Sequence, residues 1–241
     1  MTRVHPPKIS LRRSARQLAT VAVASVLSFA GLAATADHGA DAAPRTKSTV
    51  IADAAGQAVA ALDRWQQTSR PIDYVRFVQH RDQAASLTER DVELERGSLR
   101  DEWAGVSVAK QHAVLSAISQ LGVPYEYLAS EPGVGFDCSG LTIWAFGSAG
   151  VELPRVSRDQ INDATAIERD DAEAGDLVYY PGHISIYLGA STMIHSPNTG
   201  SHVEIAGLPD KSLRFGDAEA AQLGAAADGG SLVDGTLAVT E

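Results

Sequence analysis

The chain has 241 residues, a formal net charge of −10 and a single cysteine. The acidic excess argues against nucleic acid or an anionic membrane surface as partner, because both bind clustered positive charge. One cysteine excludes a disulfide within the chain, so the thiol is inert, bridged to another chain, or reactive.

Residues 1–42 have the pattern of a signal peptide. A basic leader containing Arg12 and Arg13 precedes a short apolar run, and small residues before Ala43 resemble a cleavage site. The apolar run is short for a membrane span, which needs about 20 residues, although an uncleaved anchor stays an alternative. We therefore expect a secreted or cell-wall-associated protein without stable membrane insertion after cleavage. The arginine pair is weak support for the twin-arginine route, so the export route stays open.

Residues 43–108 are predicted to form a helical region. Apolar residues recur at three- and four-residue spacing between Val50 and Trp65, as an amphipathic helix requires. Pro71 ends this run, and a strongly charged segment with a thin apolar stripe follows. Two interpretations stay open: the helices restrict access to the next domain or bind a partner or the wall, or they form a packed extension.

Residues 109–217 are predicted to form an α+β domain. One helix should end at Gly122 and a second should begin at Cys138. Four strand-like segments joined by short turns follow, over 176–180, 183–189, 192–196 and 202–207. This order is typical of helices packed on an antiparallel sheet. Residues 218–241 are rich in Ala, Gly and Asp and are predicted to be a disordered tail.

Cys138 lies where a reactive thiol is expected. Asp137 is a strong N-cap residue, which places Cys138 in the first turn of a helix. The positive end of the helix dipole favours thiolate over thiol at such a position. Location alone leaves an inert thiol possible. Ser139 is a rival nucleophile, but the segment lacks the G-x-S-x-G pattern of serine hydrolases.

His183 and His195 are the candidates for the base and for the group that orients it, both of which a thiol nucleophile needs. A three-residue loop over 189–191 would place the two histidines on one face of neighbouring strands. A two-residue loop would put them on opposite faces. The sequence therefore predicts a loop of odd length, with His202 as a reserve candidate for orienting His183.

Cys138, His183 and His195 are also a ligand set that zinc uses. None of the three belongs to a close C-x-x-C or H-x-x-x-H pair, which makes zinc the weaker alternative. A metal-free thiol–imidazole site is the favoured interpretation, and no cofactor is expected.

Three segments resemble the successive motifs of NlpC-type cell-wall cysteine peptidases. They are GVPYEYLASEPGVGFDCSGLTIWAF, VELPRVSRDQ and AGDLVYYPGHISIYLGASTMIHSPNTG, all within residues 109–217. The resemblance implies a papain-like fold, in which the helix that carries the nucleophile packs against a sheet that supplies the histidine. It implies that Cys138 is the nucleophile, His183 the base and His195 the residue that orients the base.

The same resemblance implies that Tyr125 helps to stabilise the oxyanion and that Asp137 and Ser139 contact the substrate peptide. The implied substrates are peptidoglycan stem peptides, commonly cut between D-glutamate and a diamino acid, with no cofactor. One departure concerns the shape of the cleft: residues 128–130 read Leu-Ala-Ser where the family usually has a Gly-Gly pair. A non-catalytic wall-binding protein and a thiol acyltransferase stay open as other functions of the same fold.

Overall fold

The computed structural model describes residues 46–229, which belong to one compact unit. The predicted signal peptide at 1–42 and the end of the chain at 230–241 lie outside the described residues. Among the helices of the described part, none is both long and apolar enough to cross a membrane.

The N-terminal region is helical, as its periodicity predicts. It consists of α1 (Lys47–Thr68), α2 (Pro71–Asp91) and α3 (Ser98–Gly105). Thr46 caps α1 by accepting the Thr49 N–H at 3.2 Å, and Pro71 is the first residue of α2, where its missing N–H costs nothing. The apolar stripes of α1 and α2 are buried, so this region is packed into the core rather than loosely attached.

The next three helices are α4 (Val108–Ile118), α5 (Cys138–Ser148), which begins with the cysteine, and α6 (Ser157–Asp163). Most of α4 is buried, and it contacts both α1 and α5. The N-terminal helices therefore share one hydrophobic core with the part of the chain that carries Cys138.

The strands are β1 (Ser130–Glu131), β2 (Gly135–Phe136), β3 (Thr165–Ile167), β4 (Leu177–Tyr180), β5 (His183–Gly189), β6 (Thr192–His195), β7 (Glu204–Gly207) and β8 (Arg214–Asp217). The last six form one antiparallel sheet in the order β3-β8-β4-β5-β6-β7. The helix α5 packs against β5 near the middle of this sheet. The α+β prediction is confirmed, and the cysteine helix lies on the sheet that carries both histidines.

The connection between β5 and β6 corrects the sequence-based prediction. The loop has two residues, not three, because only 190–191 lie between the strands, and both have left-handed φ angles of 47° and 58°. A β-bulge within β5 shifts the register by one residue, with Leu188 as the extra position. Ile186 consequently lies opposite Ile194, and His183 and His195 share a face after all. The predicted loop length was wrong, but the predicted pairing of the histidines is found.

The chain after the sheet also differs from expectation. Residues Ala218–Gly229 form the helix α7, whereas the composition of 218–241 predicted disorder. The start of α7 is held by tertiary contacts: Asp217 caps it by accepting the Ala220 N–H at 2.8 Å, and Ala218 is buried. These contacts offset the low apolar content of the segment.

Candidate active site

Asp137 is the N-cap residue of α5. Its Oδ1 atom accepts the Gly140 N–H at 2.7 Å, which caps the helix and sets Cys138 as its first residue. Gly140 is required because a Cβ atom there would lie 2.0 Å from the Ala129 carbonyl oxygen. The loop before the cysteine therefore lies directly against the first turn of α5.

The thiol of Cys138 is half-buried beside β5. Burial raises its pKa, the Asp137 carboxylate adds to the rise, and hydrogen bonds from the backbone N–H groups of Ile184 and Ser139 oppose it. The net direction is upward, so burial outweighs the helix-start effect that the sequence predicts to favour the thiolate. At rest the group is a thiol that needs a base.

The candidate base, His183, belongs to a pair of buried imidazoles. His183 Nε2 lies 2.9 Å from His195 Nδ1, and the two rings meet edge to face at 87°. Burial, then His195 and then Lys211, lower the pKa of His183 to about 4. The ring is therefore neutral near pH 7 and able to accept a proton. Because the thiol binds the N–H of Ile184, the residue after His183, sulfur and imidazole adjoin the same end of β5.

Glu204 lies behind this pair, and sequence reasoning missed it. It lies opposite His195 on β7, with Oε1 3.5 Å from His195 Nε2. Burial lowers the pKa of His195, while the Glu204 carboxylate opposes that change. The HVEIAG strand carried the signal, because pairing β6 with β7 at this register puts an acidic residue beside the second histidine. His202, the reserve candidate, is exposed and forms a bridge with Pro124 instead.

The Glu204 carboxylate indicates which ring nitrogens of His195 and His183 carry a hydrogen. The negative charge of Glu204, 3.5 Å from His195 Nε2, favours the tautomer with the hydrogen on Nε2, and Nδ1 of His195 is then an acceptor. His183 must then donate from Nε2 to His195, which leaves His183 Nδ1 without a hydrogen. In this arrangement His183 Nδ1 is free to accept a proton.

Tyr125 is half-buried close to Asp137 and Cys138. Burial raises the pKa of its hydroxyl, and the Asp137 carboxylate and, when ionised, Cys138 raise it further. The hydroxyl therefore stays protonated and able to donate. Its backbone is fixed by an N–H donated to the Ser201 carbonyl at 2.9 Å.

Asp137 and Ser139 are buried and bound to Arg155, a residue that sequence reasoning did not select. The guanidinium donates to Asp137 Oδ2 at 2.6 Å and to Ser139 Oγ at 2.7 Å. Asp137 Oδ2 also accepts the Leu128 N–H at 3.0 Å. These contacts hold the loop, the helix start and the LPR segment together, while substrate contact by Asp137 and Ser139 stays a prediction.

Leu128 explains how the chain accommodates its departure from the Gly-Gly pattern. Its φ angle of 64° is left-handed, a conformation that glycine adopts more readily. The hydrogen bond from its N–H to the buried Asp137 carboxylate holds the residue in this conformation. Its side chain is 63% exposed, so an apolar group lies at the surface close to Asp137.

The arrangement does not resemble a metal centre. Within residues 46–229, no group of three or more His, Cys, Asp or Glu side chains is disposed to hold a metal ion. His183 Nε2 and His195 Nδ1 are hydrogen-bonded to one another, so these two nitrogens do not converge on a shared ion.

Comparisons with known proteins concern the part of the chain that holds these residues. The sequence model of the NlpC/P60 family matches residues 122–214, a segment that contains Cys138 and both histidines. This part of the chain is therefore similar to NlpC/P60 domains, and relatives that share it are named as murein or peptidoglycan endopeptidases.

Two relatives illustrate the similarity. The bifunctional muramidase/DL-endopeptidase CwlT of Bacillus subtilis is 39% identical over 92 residues, covering 35% of this chain and 28% of that protein. The murein DD-endopeptidase MepH of Escherichia coli is 34% identical over 125 residues, covering 47% and 46%. The matched part thus spans less than half the length of either relative. The crystal structure of the P60 domain of an M. avium subspecies paratuberculosis antigen matches with a TM-score of 0.43 and 28% identity, covering 46% of this chain and 94% of that one.

Proposed function

We propose that the protein is a secreted cysteine endopeptidase that hydrolyses peptide bonds in the stem peptides of peptidoglycan. The observation that carries the proposal is the neutral His183–His195 pair beside the half-buried thiol of Cys138. The names of the relatives, a DL-endopeptidase and a murein DD-endopeptidase, support peptidoglycan peptides as the substrate class. The bond between D-glutamate and a diamino acid is the proposed point of cleavage.

In the first half of the reaction, His183 Nδ1 takes the proton of Cys138 as the sulfur attacks the carbonyl carbon. The tetrahedral oxyanion then receives hydrogen bonds from the Tyr125 hydroxyl and from the backbone N–H of Cys138 at the start of α5. The C–N bond breaks, and the leaving amine takes the proton from His183. An acyl-enzyme thioester remains on the sulfur.

In the second half, His183 removes a proton from water, and the hydroxide attacks the thioester. Collapse breaks the C–S bond, His183 returns its proton to the sulfur, and the new carboxylic acid leaves and loses its own proton to the solvent. His195 and Glu204 do not touch the substrate; they keep Nε2 of His183 protonated, so that Nδ1 stays the reactive nitrogen. General acid–base action of this kind contributes about 10²–10⁴-fold to the rate. Asp137 and Ser139, fixed by Arg155, are proposed to line the wall along which the peptide binds.

The test uses the chain from Ala43 onward, which contains every described residue, with purified peptidoglycan and mass spectrometry of the soluble fragments. Cys138→Ala removes the nucleophile. Cys138→Ser is the matched control, because it replaces the thiol with a hydroxyl and keeps a side chain of similar volume. New peptide termini should come from the wild type alone, and a free amine on the diamino acid would identify the bond. Release by Cys138→Ala at the wild-type rate would overturn the thiol mechanism.

Two other outcomes identify the alternatives. Cosedimentation with the wall without release of peptides would indicate a non-catalytic binding protein. Products in which an added amine replaces water would indicate an acyltransferase.

A further inference from the structure

The shared face of the two histidines depends on a single bulge. Across the two-residue turn at 190–191, a regular ladder would put His183 and His195 on opposite faces. The extra residue Leu188 restores the pairing, so the hydrogen bond between the imidazoles requires this irregularity. What stabilises the bulge therefore bears directly on the geometry of the base.

A buried tryptophan of α3 binds the bulge. Trp103 is fully buried, and its Nε1–H donates to the Leu188 carbonyl at 2.8 Å. A bulge leaves the backbone groups of its extra residue outside the regular ladder, and a buried carbonyl without a partner would cost about 1–3 kcal/mol. The indole supplies that partner, in a contact between residues 85 positions apart.

The neighbouring residue of α3 binds the turn. The carboxylate of Glu102 accepts a hydrogen bond from the backbone N–H of Ala190, one of two non-glycine residues that are left-handed here. Gly189, with a φ angle of 100°, lies so close to Glu102 that a Cβ atom would approach Oε2 to 2.0 Å. The end of the β5–β6 hairpin and α3 therefore fit closely together.

The helix α3 is itself anchored to α2. Its N-cap residue, Gly97, offers no side chain, and the buried carboxylate of Glu89 takes over the capping. Glu89 accepts the N–H groups of Gly97, Leu99 and Arg100 at 2.9, 2.9 and 3.2 Å. The position of Trp103 is thereby tied to the N-terminal helix pair.

We propose that α3, which lies outside the segment matched by the family, is a positioning element of the active site. Trp103 and Glu102 hold the bulge and turn of β5–β6 in the register that joins His183 to His195. Both are positioning residues, because neither touches the reacting atoms. The inference concerns the geometry of the histidines and rests on the proposed function only where activity is the readout.

The test compares Trp103→Phe, which keeps most of the volume and removes the donor, with Trp65→Phe. Trp65 is a matched control because it lies in the same helical region and packs its ring against Tyr74. Each chain from Ala43 onward is checked for folding by circular dichroism. The nitrogens of His183 and His195 are then observed by NMR with ¹⁵N-labelled histidine. This signal reports the tautomers and the bond between the rings without any substrate.

In Trp103→Phe we expect loss of the wild-type tautomer and ring–ring hydrogen-bond signals. We also expect at least about a tenfold fall in kcat with KM little changed. Trp65→Phe should keep both. A folded Trp103→Phe with wild-type histidine signals would overturn the proposal.

Glu102 provides the second series. Glu102→Ala should lose the wild-type signals, and Glu102→Gln, whose amide oxygen can still accept the Ala190 N–H, should restore them. If Trp103→Phe fails to fold, the Glu102 variants test the proposal in its place. Wild-type histidine signals in folded Glu102→Ala would then overturn the proposal. A wild type that shows the imidazole pair but releases no peptide would refute the proposed function alone.

Discussion

The neutral imidazole of His183 should make the stability of the fold depend on pH. Its pKa is about 4 in the folded protein, against an ordinary 6.5. Above pH 6.5 both the folded and the unfolded states carry a neutral ring, so this stabilisation is fully present. As the pH falls from 6.5 towards 4, the unfolded chain binds a proton that the folded one excludes, and stability is lost.

The size of the loss follows from the same two values. Each pKa unit corresponds to about 1.4 kcal/mol, so the full difference is roughly 3 kcal/mol. Between about pH 7.5 and about pH 5 the contribution of His183 is about 2 kcal/mol of unfolding free energy. For a domain of this size that is a large part of a total of about 5–15 kcal/mol.

Urea unfolding followed by circular dichroism at these two pH values measures the effect. His183→Gln removes the titrating ring and keeps an amide donor towards His195, so it should lose about 2 kcal/mol less than the wild type on acidification. His202→Gln is the matched control at an exposed histidine and should behave as the wild type. Equal losses in the wild type and His183→Gln would refute the conclusion that the fold keeps this ring neutral.

Four further predictions concern the surroundings of the site. Glu89→Gln should lower the free energy of unfolding by about 1–3 kcal/mol, because an amide NH₂ group replaces an acceptor of buried N–H groups; an unchanged urea midpoint would contradict this. Glu204→Gln should lower kcat about tenfold at unchanged KM. It should also lower the pKa of His195 further, as measured by NMR titration, and an unaltered titration would show that Glu204 does not act on His195. The rate of alkylation of Cys138 by iodoacetamide should keep rising through the alkaline range, because burial raises the pKa of the thiol; a plateau already reached near neutral pH would indicate a resting thiolate–imidazolium pair. Leu128→Gly should leave the melting temperature unchanged or slightly higher. Glycine relieves about 1 kcal/mol of left-handed backbone strain, and this gain offsets the larger conformational entropy that glycine gives the unfolded chain. A clear fall in the melting temperature would show that the Leu128 side chain makes stabilising contacts within the protein.

Local patterns predicted the parts of the site that local chemistry determines. Alternating apolar residues predicted β5 with its observed bounds, His183–Gly189, because side chains in a strand alternate between its two faces, although in this strand both faces are mostly buried. The cap at Asp137 was readable for a similar reason: a carboxylate before a helix satisfies backbone N–H groups within three residues. The sequence therefore placed Cys138 correctly at the start of a helix and the two histidines on neighbouring strands.

Features determined by distant contacts were not predictable in this way. The strands β3 and β8 are short, and they are part of the sheet because β8 pairs with β3 on one side and with β4 on the other. Glu204 becomes a partner of His195 only through the register of β6 and β7. The bulge was missed because nothing near Leu188 in the sequence indicates an extra residue. Its carbonyl is bound by a side chain from another part of the chain.

The N-terminal helices were open to two interpretations, and the contacts of α3 bear on both. A chain shortened to begin near Ala104 would remove the indole and the carboxylate that hold the β5–β6 hairpin, along with any cover of the cleft. Loss of activity in such a chain would reflect a disturbed base, so it would say nothing about access. Single substitutions that keep α3 in place are more informative. They distinguish a role of α3 in positioning the histidines from a role of the N-terminal helices in covering the cysteine. The candidate catalytic residues lie within the segment that matches the family model. The helix α3 lies outside that segment and contacts the irregular part of the hairpin that carries both histidines.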